Sequence, residues 1–418
     1  MNGGDASHNP RKPSAPARAS ATCLREAAFL GFLSFLPILS VLAPRSLAFT
    51  AGLAGILGLL AWVRTSSVKK RNLIPFLSLA SAWVVFAGLS ALWSADPPQS
   101  LDRVKNLGLV LLPGALFLSV MATFQEAVSE RFLILFAAGL GVAMVLVGIE
   151  LWAGFPIWHL THGLAFDQPV PSESVMNRSV IVLVMLFSPI AGMLSGRGRL
   201  VLLALFLPVL LTTESQSAQI GLAVGLLTAL LPAAVYKSSK AWAGLGLAIA
   251  AYMAFFPWLV SALFQTLAPL VDANPFLGRG GAYGADRLEI WHFVAQKAME
   301  SPFYGHGIEA TKELTFDTQA LYHTSAHVLH PHNFLLQLWI EFGAIGVTLV
   351  FVMIAILLKT MFERLSVLQN RIALPTFMTA FSIASTSYGL WQSWWLGLLL
   401  LSAGLVFFAV KRPFSSFS

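Results

Sequence analysis

The residues best suited to chemistry lie in one polar stretch near the C-terminal third of the chain. Six of the nine histidines fall between His292 and His332, and the stretch ends in the motif His330-Pro331-His332-Asn333. A neutral imidazole can accept a proton from an attacking hydroxyl. Because an apolar run follows the motif at once, we expect His332 at the mouth of a membrane helix, as a candidate general base. The alternative is a helix-capping or interfacial histidine.

Two arginines could bind an anion. Arg287 follows Asp286, which we predict to be the N-cap of a helix ending near residue 300, so Arg287 would lie beside free backbone N–H groups. Arg178 follows Asn177 at the start of an apolar run, where a charge usually faces a cavity or a partner. Guanidinium groups suit phosphate oxygens. The alternatives are a surface ion pair for Arg287 and a side chain that reaches the membrane surface for Arg178.

Metal binding is a rival use of the histidines. The spacing H-x3-H-x2-H-x-H puts His323 and His327 on one helix face, and zinc accepts such ligands. Pro331 would break a helix there, however, and no helical H-E-x-x-H motif is present. Cys23 is the only cysteine, which excludes an intramolecular disulfide and a cysteine-based metal site. We therefore predict neither a metal nor another cofactor.

The composition defines the elements that must position these residues. The 418-residue chain is 57% hydrophobic and 11% charged, against roughly a quarter charged in a soluble domain. This excludes a soluble enzyme and predicts an all-α polytopic membrane protein. The apolar runs are continuous, unlike the alternating strands of an outer-membrane barrel. The twelve predicted spans are 27–43, 46–63, 73–93, 106–124, 132–153, 178–196, 199–214, 217–236, 241–263, 332–358, 372–388 and 391–410.

The charge distribution predicts the orientation. With the N-terminus in the cytoplasm, the inner segments hold 18 of the 26 basic residues but only 5 of the 19 acidic ones. This positive-inside pattern favours twelve spans with both ends cytoplasmic. The net charge of +7 therefore indicates orientation in a lipid bilayer, and we expect no nucleic-acid partner. The predicted segments are a disordered tail at 1–25, nine helices within 26–263, a large outer loop at 264–331, three helices within 332–410 and a tail at 411–418.

At its polar residues the sequence resembles the bacterial O-antigen ligase and O-antigen polymerase family of inner-membrane, lipid-linked glycan transferases. One block is RLEIW at 287–291, which continues to SPFYGHG at 301–307. A second is HPHN at 330–333, and a weaker third is LWSADP at 92–97 with Ser100 and Leu101. The second block continues with Gln337, Glu341, Gly343 and Gly346.

The resemblance implies a reaction and a location. Such proteins take a glycan from undecaprenyl diphosphate at the periplasmic face and pass it to a hydroxyl, with inversion and without a metal. The acceptor is lipid A–core in ligases, another lipid-linked repeat in polymerases and a protein side chain in related oligosaccharyltransferases. The resemblance thus places this chain in the inner membrane with a periplasmic active site.

The resemblance also implies a role for each candidate residue. His332 matches the proposed base, and Arg287 and Arg178 match arginines that bind the diphosphate. The family often has Ser-Arg between spans seven and eight, where this chain has Ser215-Gln216, and glutamine brings no charge. Either Arg178 and Arg279 supply that charge or the activity differs from the typical ligase. The expected sets are catalytic His332 and Arg287; diphosphate-binding Arg178, Arg287, Arg279 and Gln216; and acceptor-binding His330, Asn333 and Tyr283.

Three functions remain open from the sequence. The leading hypothesis is an O-antigen ligase that transfers glycan to lipid A–core. The second is a polymerase of O-antigen or exopolysaccharide repeats, which would use nearly the same residues. The third is a twelve-span secondary transporter, but few charges lie near the centres of the predicted spans.

Overall fold

The computed structural model describes residues 15–62, 70–123, 130–170, 173–273, 282–316, 322 and 327–411. Within these ranges the regular secondary structure is helical, apart from one isolated bridge between Thr315 and His327. Seven helices among the described residues are long and apolar enough to cross a membrane, and two shorter apolar helices accompany them. The chain is thus an all-α polytopic membrane protein, and the count of twelve spans stays a prediction.

The helices are numbered here in chain order. They are α1 (Ala15–Leu42), α2 (Leu47–Trp62), α3 (Lys70–Ser90), α4 (Pro97–Thr123), α5 (Glu130–Trp152), α6 (Pro156–His162), α7 (Asn177–Met193), α8 (Gly196–Thr212), α9 (Gln216–Ala229), α10 (Ala233–Lys237), α11 (Ser239–Ala273), α12 (Ala282–Ala298), α13 (Phe334–Arg364), α14 (Val367–Ala384) and α15 (Ser393–Val410).

Each predicted apolar stretch overlaps a helix of the structure, but several boundaries differ from the prediction, and three of the differences have a clear cause. Helix α1 begins at Ala15, inside the predicted tail, because that segment is rich in alanine. Helix α11 runs to Ala273, past the predicted end at 263. The predicted span 217–236 contains both α9 and α10, because Pro232 lies between them and proline has no N–H to continue the helix.

Helix α12 also begins earlier than predicted, at Ala282. Asp286 is therefore inside the helix instead of capping it, and Arg287 does not lie in the first turn beside free N–H groups. The apolar face of α12 is buried at Ile290, Val294 and Ala298, and it packs against α11 and α13. The predicted loop helix thus covers the bundle and holds Arg287 in a fixed position.

Helix α13 is broken at Gly343, whose backbone is far from helical at φ 59° and ψ −156°. The segment 301–307 crosses the break and takes up the backbone hydrogen bonds that the helix lacks there. The N–H groups of His306 and Gly307 donate to carbonyls of α13 over 2.8 and 2.9 Å, and the N–H of Ala344 donates to Pro302 over 2.8 Å. These bonds join the two sequence blocks that the resemblance identified.

The crossing also requires two glycines. A Cβ on Gly343 would lie 2.5 Å from the Phe303 carbonyl carbon, and one on Gly305 would lie 2.4 Å from the Glu341 carbonyl carbon. Both glycines also have positive φ, which side chains disfavour. The sequence showed these glycines as part of motifs, but it did not predict that they form one backbone crossing.

Candidate functional site

The candidate site is built around the turn between α14 and α15. The Thr386 carbonyl accepts hydrogen bonds from Arg287 Nη1 over 3.0 Å and from Ser217 Oγ over 2.7 Å. One carbonyl therefore joins the start of α9, where Gln216 is exposed, to helix α12. A polar turn between two apolar helices thus gathers residues that are distant in the sequence.

Arg178 lies on the other side of this turn. Its guanidinium carbon is 5.9 Å from the centre of the Tyr388 ring, and its Nε is buried with no hydrogen-bond partner among the described residues. Burial raises the pKa of Tyr388 to about 12, while the charges of Arg178 and Arg287 oppose that rise. Tyr388 is therefore neutral and lies within the field of two cations. An anionic ligand would be stabilised between them.

Arg287 is partly withdrawn from solvent. Burial lowers its pKa from the usual arginine value, and Tyr388 and Asp286 act in the opposite direction. No ion pair of Arg287 with a carboxylate is seen in the described part of the chain, and its one resolved hydrogen bond goes to a carbonyl. This arrangement favours anion binding over the surface ion pair that the sequence left open.

The two histidines of HPHN lie together. The ring centres of His330 and His332 are 4.2 Å apart, at an interplanar angle of 62°. His332 has a left-handed backbone with φ 53°, a conformation that is uncommon in residues other than glycine and recurs at functional sites. The indole N–H of Trp291 donates to the Pro331 carbonyl over 2.7 Å. Helix α12 therefore holds the histidine loop as well as Arg287.

Asn333 fixes the start of α13. Its Oδ1 accepts from the N–H groups of Leu335 and Leu336 over 2.9 and 3.1 Å, and its Nδ2 donates to the Ser385 carbonyl over 2.7 Å. The residue has no solvent exposure. Its contacts therefore indicate an N-cap that positions His332, whereas the sequence predicted contact with an acceptor.

His330 is held from the side of α15. Trp394 Nε1 donates to Gln392 Oε1 over 2.8 Å, and Gln392 Nε2 lies 3.3 Å from His330 Nε2. Burial lowers the pKa of His330 to about 4; the Glu309 carboxylate opposes the shift, whereas Arg287 and Arg178 add to it. His330 is thus a neutral imidazole at pH 7. Its Nδ1 is buried and has no hydrogen-bond partner among the described residues.

A buried polar network from α13 holds the turn between α14 and α15. Gln337 Nε2 donates to Glu341 Oε1 over 2.9 Å, and Gln337 Oε1 accepts from the Leu390 N–H over 2.6 Å. The Trp391 indole N–H donates to the other oxygen of Glu341. Gln337 and Glu341, which the resemblance singled out, therefore connect α13 to the site turn.

The structure brings together Arg178, Arg287, His330, His332 and, at the edge, Gln216. Arg279 and His323 lie outside the described residues, and so does the side chain of Tyr283, whose backbone belongs to α12. Sequence reasoning missed Thr386, Tyr388 and Gln392, since it treated this segment only as an uncertain boundary between spans. The signal was the run of polar and aromatic residues from 385 to 395 within an otherwise apolar region.

The histidine spacing had offered a metal site as a rival use of these residues. In the described parts of the chain no three histidine, cysteine, aspartate or glutamate side chains are close enough to share a metal ion. His323 is outside those parts, and His330 contacts Gln392 and His332.

A cavity of about 390 Å³ opens beside Arg178 on the same side of the bundle. Its walls come from the α1–α2 connection, the short helix α6 and the start of α7. Trp158 and His162 of α6 stack at 4.3 Å with an interplanar angle of 20°, and both line the cavity with Arg45.

Parts of the sequence are similar to known proteins. Residues 200–351 match the family model described as O-Antigen ligase. A protein of Rickettsia conorii named "Putative polysaccharide ligase" is 34% identical over 121 residues, covering 27% of this chain and 28% of its own length. A Rickettsia typhi protein with the same description is 31% identical over 145 residues, covering 32% of this chain and 36% of its own length. The matches thus span about a third of these relatives, and no solved structure matches the chain.

Proposed function

We propose that the protein is an O-antigen ligase, because residues 200–351 match the O-Antigen ligase family model and segments of the chain are 31–34% identical to proteins named "Putative polysaccharide ligase". In this proposal the protein takes a glycan from undecaprenyl diphosphate at the periplasmic face of the inner membrane and transfers it to lipid A–core. The single observation that carries the proposal is the convergence of Arg178, Arg287 and the two histidines at the Thr386–Tyr388 turn.

The chemistry follows from the charges. The acceptor hydroxyl oxygen attacks the anomeric carbon of the lipid-linked sugar, and the bond from that carbon to the diphosphate oxygen breaks. The hydroxyl proton passes to His332, which is the general base. Negative charge grows on the departing diphosphate, and Arg178 and Arg287 stabilise it. Attack from the face opposite the diphosphate inverts the anomeric centre.

Family blocks that do not touch the substrate hold this geometry. Asn333 caps α13 beside His332, and Trp291 fixes the carbonyl of Pro331. The Gln337–Glu341 pair holds the site turn from within α13. The general base and the two arginines must keep their positions relative to the substrate for transfer to be fast. These buried contacts would maintain those positions.

The experiment is transfer by the purified protein in proteoliposomes that contain lipid-linked glycan and lipid A–core. We expect transfer by the wild type, in the presence of a chelator, and its loss in His332→Ala and Arg287→Ala. Ser366→Ala is the matched control, because Ser366 caps α14 at an exposed site. Normal transfer by both site variants would contradict the assignment of residues.

The polymerase remains the second candidate, since it would use the same residues. The names of the relatives favour ligation. The product distinguishes the two: a ligase extends lipid A–core, and a polymerase lengthens the glycan on the lipid carrier. Exclusive formation of longer lipid-linked glycan would replace the ligase proposal.

A further inference from the structure

The position of the proton on His330 follows from its hydrogen bonds. The Trp394 indole can only donate, so its contact with Gln392 identifies the near atom as the amide oxygen. The NH₂ group of Gln392 must then face His330 Nε2. Nε2 therefore accepts, and in a neutral imidazole the proton resides on Nδ1. That N–H is the buried group without a partner among the described residues.

We propose that His330, as its Nδ1–H tautomer, donates a hydrogen bond to a diphosphate oxygen of the lipid-linked donor, and that Gln392 is the positioning residue that fixes this tautomer. The assignment rests on the proposed function and changes the role of His330 from acceptor contact to donor contact. A buried N–H without a partner is costly, and an anionic oxygen in this place would satisfy it.

The diphosphate fits this N–H better than the acceptor hydroxyl does. A nucleophilic hydroxyl needs a group that accepts its proton, and Nδ1–H cannot accept one. The charges of Arg287 and Arg178 both act on His330, and the opposing carboxylate of Glu309 is itself paired with Arg103 and Lys312. A ligand atom beside the His330 ring therefore lies where negative charge is favoured. A neutral imidazole N–H adds a hydrogen bond to the diphosphate without adding a third cation. His330 would thus donate a proton in a hydrogen bond, whereas His332, the base, accepts one.

Two amide substitutions at His330 test the roles of its two ring nitrogens separately. In His330→Asn the amide N–H₂ can occupy the place of Nδ1–H, and in His330→Gln it reaches the place of Nε2 instead. Gln392→Glu is the complementary change, because a carboxylate accepts from Nε2–H and removes the proton from Nδ1. Binding of undecaprenyl diphosphate, followed by tryptophan fluorescence of the purified protein, and transfer kinetics are the two measurements.

We expect His330→Asn to keep affinity and kcat within about tenfold of the wild type. His330→Gln and Gln392→Glu should bind undecaprenyl diphosphate at least tenfold more weakly, with kcat lower by roughly 10². Equal affinities in the Asn and Gln variants would overturn the assignment. If the wild type binds the lipid and the Gln variant does not, yet no glycan is transferred, the proposed function fails and this assignment stands.

The cavity beside Arg178 carries a second, independent inference. Helix α6 is fixed to the bundle by the buried Glu150, whose carboxylate accepts from the N–H groups of Ile157 and Trp158 over 2.6 and 3.0 Å. The His159 ring lies between two carbonyls, with Nδ1 2.8 Å from the Phe155 oxygen and Nε2 2.7 Å from the Gln168 oxygen. It therefore connects α6 to the segment that follows it. The aromatic wall of the cavity is therefore held in place before any ligand binds.

The geometry points to this cavity as the subsite for the sugar that is joined directly to the diphosphate. Arg178 lines the cavity and also faces Tyr388 of the site turn, so a sugar in the cavity would lie next to a phosphate that Arg178 binds. The faces of aromatic rings pack against the C–H groups of a sugar ring, and Arg45 and Thr161 offer hydrogen bonds to its hydroxyls. The volume of about 390 Å³ admits a single sugar with water.

The test compares Trp158→Ala, Trp158→Phe and the control Trp152→Ala, which removes an exposed tryptophan outside the cavity. We expect Trp158→Ala to raise the KM for lipid-linked glycan about tenfold, with the affinity for sugar-free undecaprenyl diphosphate unchanged. The Phe variant and the control should keep the wild-type KM. An unchanged KM in Trp158→Ala, or an equal loss of affinity for the sugar-free lipid, would overturn the subsite.

Discussion

The capping residue Asn333 permits a quantitative test of how the site is held. Replacing it by alanine removes the acceptor for two N–H groups of α13 and the donor to the Ser385 carbonyl. Loss of an N-cap costs about 1 kcal/mol, and a buried carbonyl without its donor costs about 1–3 kcal/mol. Because Asn333 has no solvent exposure, water cannot replace these bonds. We therefore expect a loss of about 3 kcal/mol in the free energy of unfolding.

Two further variants make the test specific. Asn333→Ser keeps a short side-chain acceptor for the cap but cannot reach the Ser385 carbonyl. Its free energy of unfolding should therefore be about 1 kcal/mol higher than that of Asn333→Ala. Ser366→Ala removes an exposed cap of α14 and should cost about 1 kcal/mol or less. Thermal unfolding in detergent and transfer kinetics are the assays. An Asn333→Ala protein with wild-type stability and wild-type transfer would refute the role of this cap in positioning His332.

Three other perturbations follow from the structure. Gly343→Ala forces a positive φ on a side chain and places its Cβ 2.5 Å from the Phe303 backbone, so it should destabilise the protein by several kcal/mol and abolish transfer; an unaffected melting temperature would contradict the crossing. Gln216→Arg adds a cation near the site turn and should lower the KM for the lipid-linked donor, with a steeper dependence on salt; an unchanged KM would exclude Gln216 from the site. Since the pKa of His330 falls from 6.5 to about 4 on folding, the unfolded chain binds the extra proton first as the pH drops. Stability should thus decrease between pH 6.5 and 4, by up to roughly 3 kcal/mol, and His330→Asn should remove that part of the pH dependence.

The sequence predicted the helices well because membrane helices must be continuous apolar segments. It placed His332 and Arg178 at the first residues of the predicted spans 332–358 and 178–196. In the structure His332 lies two residues before α13 and Arg178 is the second residue of α7. The sequence-based prediction failed where contacts between distant segments determine the structure. The break at Gly343 depends on a loop some forty residues earlier in the chain, and no local pattern reports such a pairing.

The composition of the site was only partly predictable. Its charged members were visible because arginine and histidine are rare in this chain. Tyr388 and Gln392 were not, because neutral polar residues at a helix end are ordinary and gain meaning only from their neighbours. For Asn333, the place in a motif suggested contact with an acceptor, which stays a prediction, whereas its hydrogen bonds show that it caps α13.

We propose that Arg287 and its partners at the Thr386–Tyr388 turn act on a lipid-linked glycan. The most direct measurement is complementation of a gene deletion in the host, with lipopolysaccharide and lipid-linked glycan separated side by side on gels. We predict that the wild-type gene restores the lipopolysaccharide ladder, whereas Arg287→Ala at equal abundance leaves it absent, with long glycan accumulating on the lipid carrier. A complete ladder in the Arg287→Ala strain would show that Arg287 is not needed for transfer.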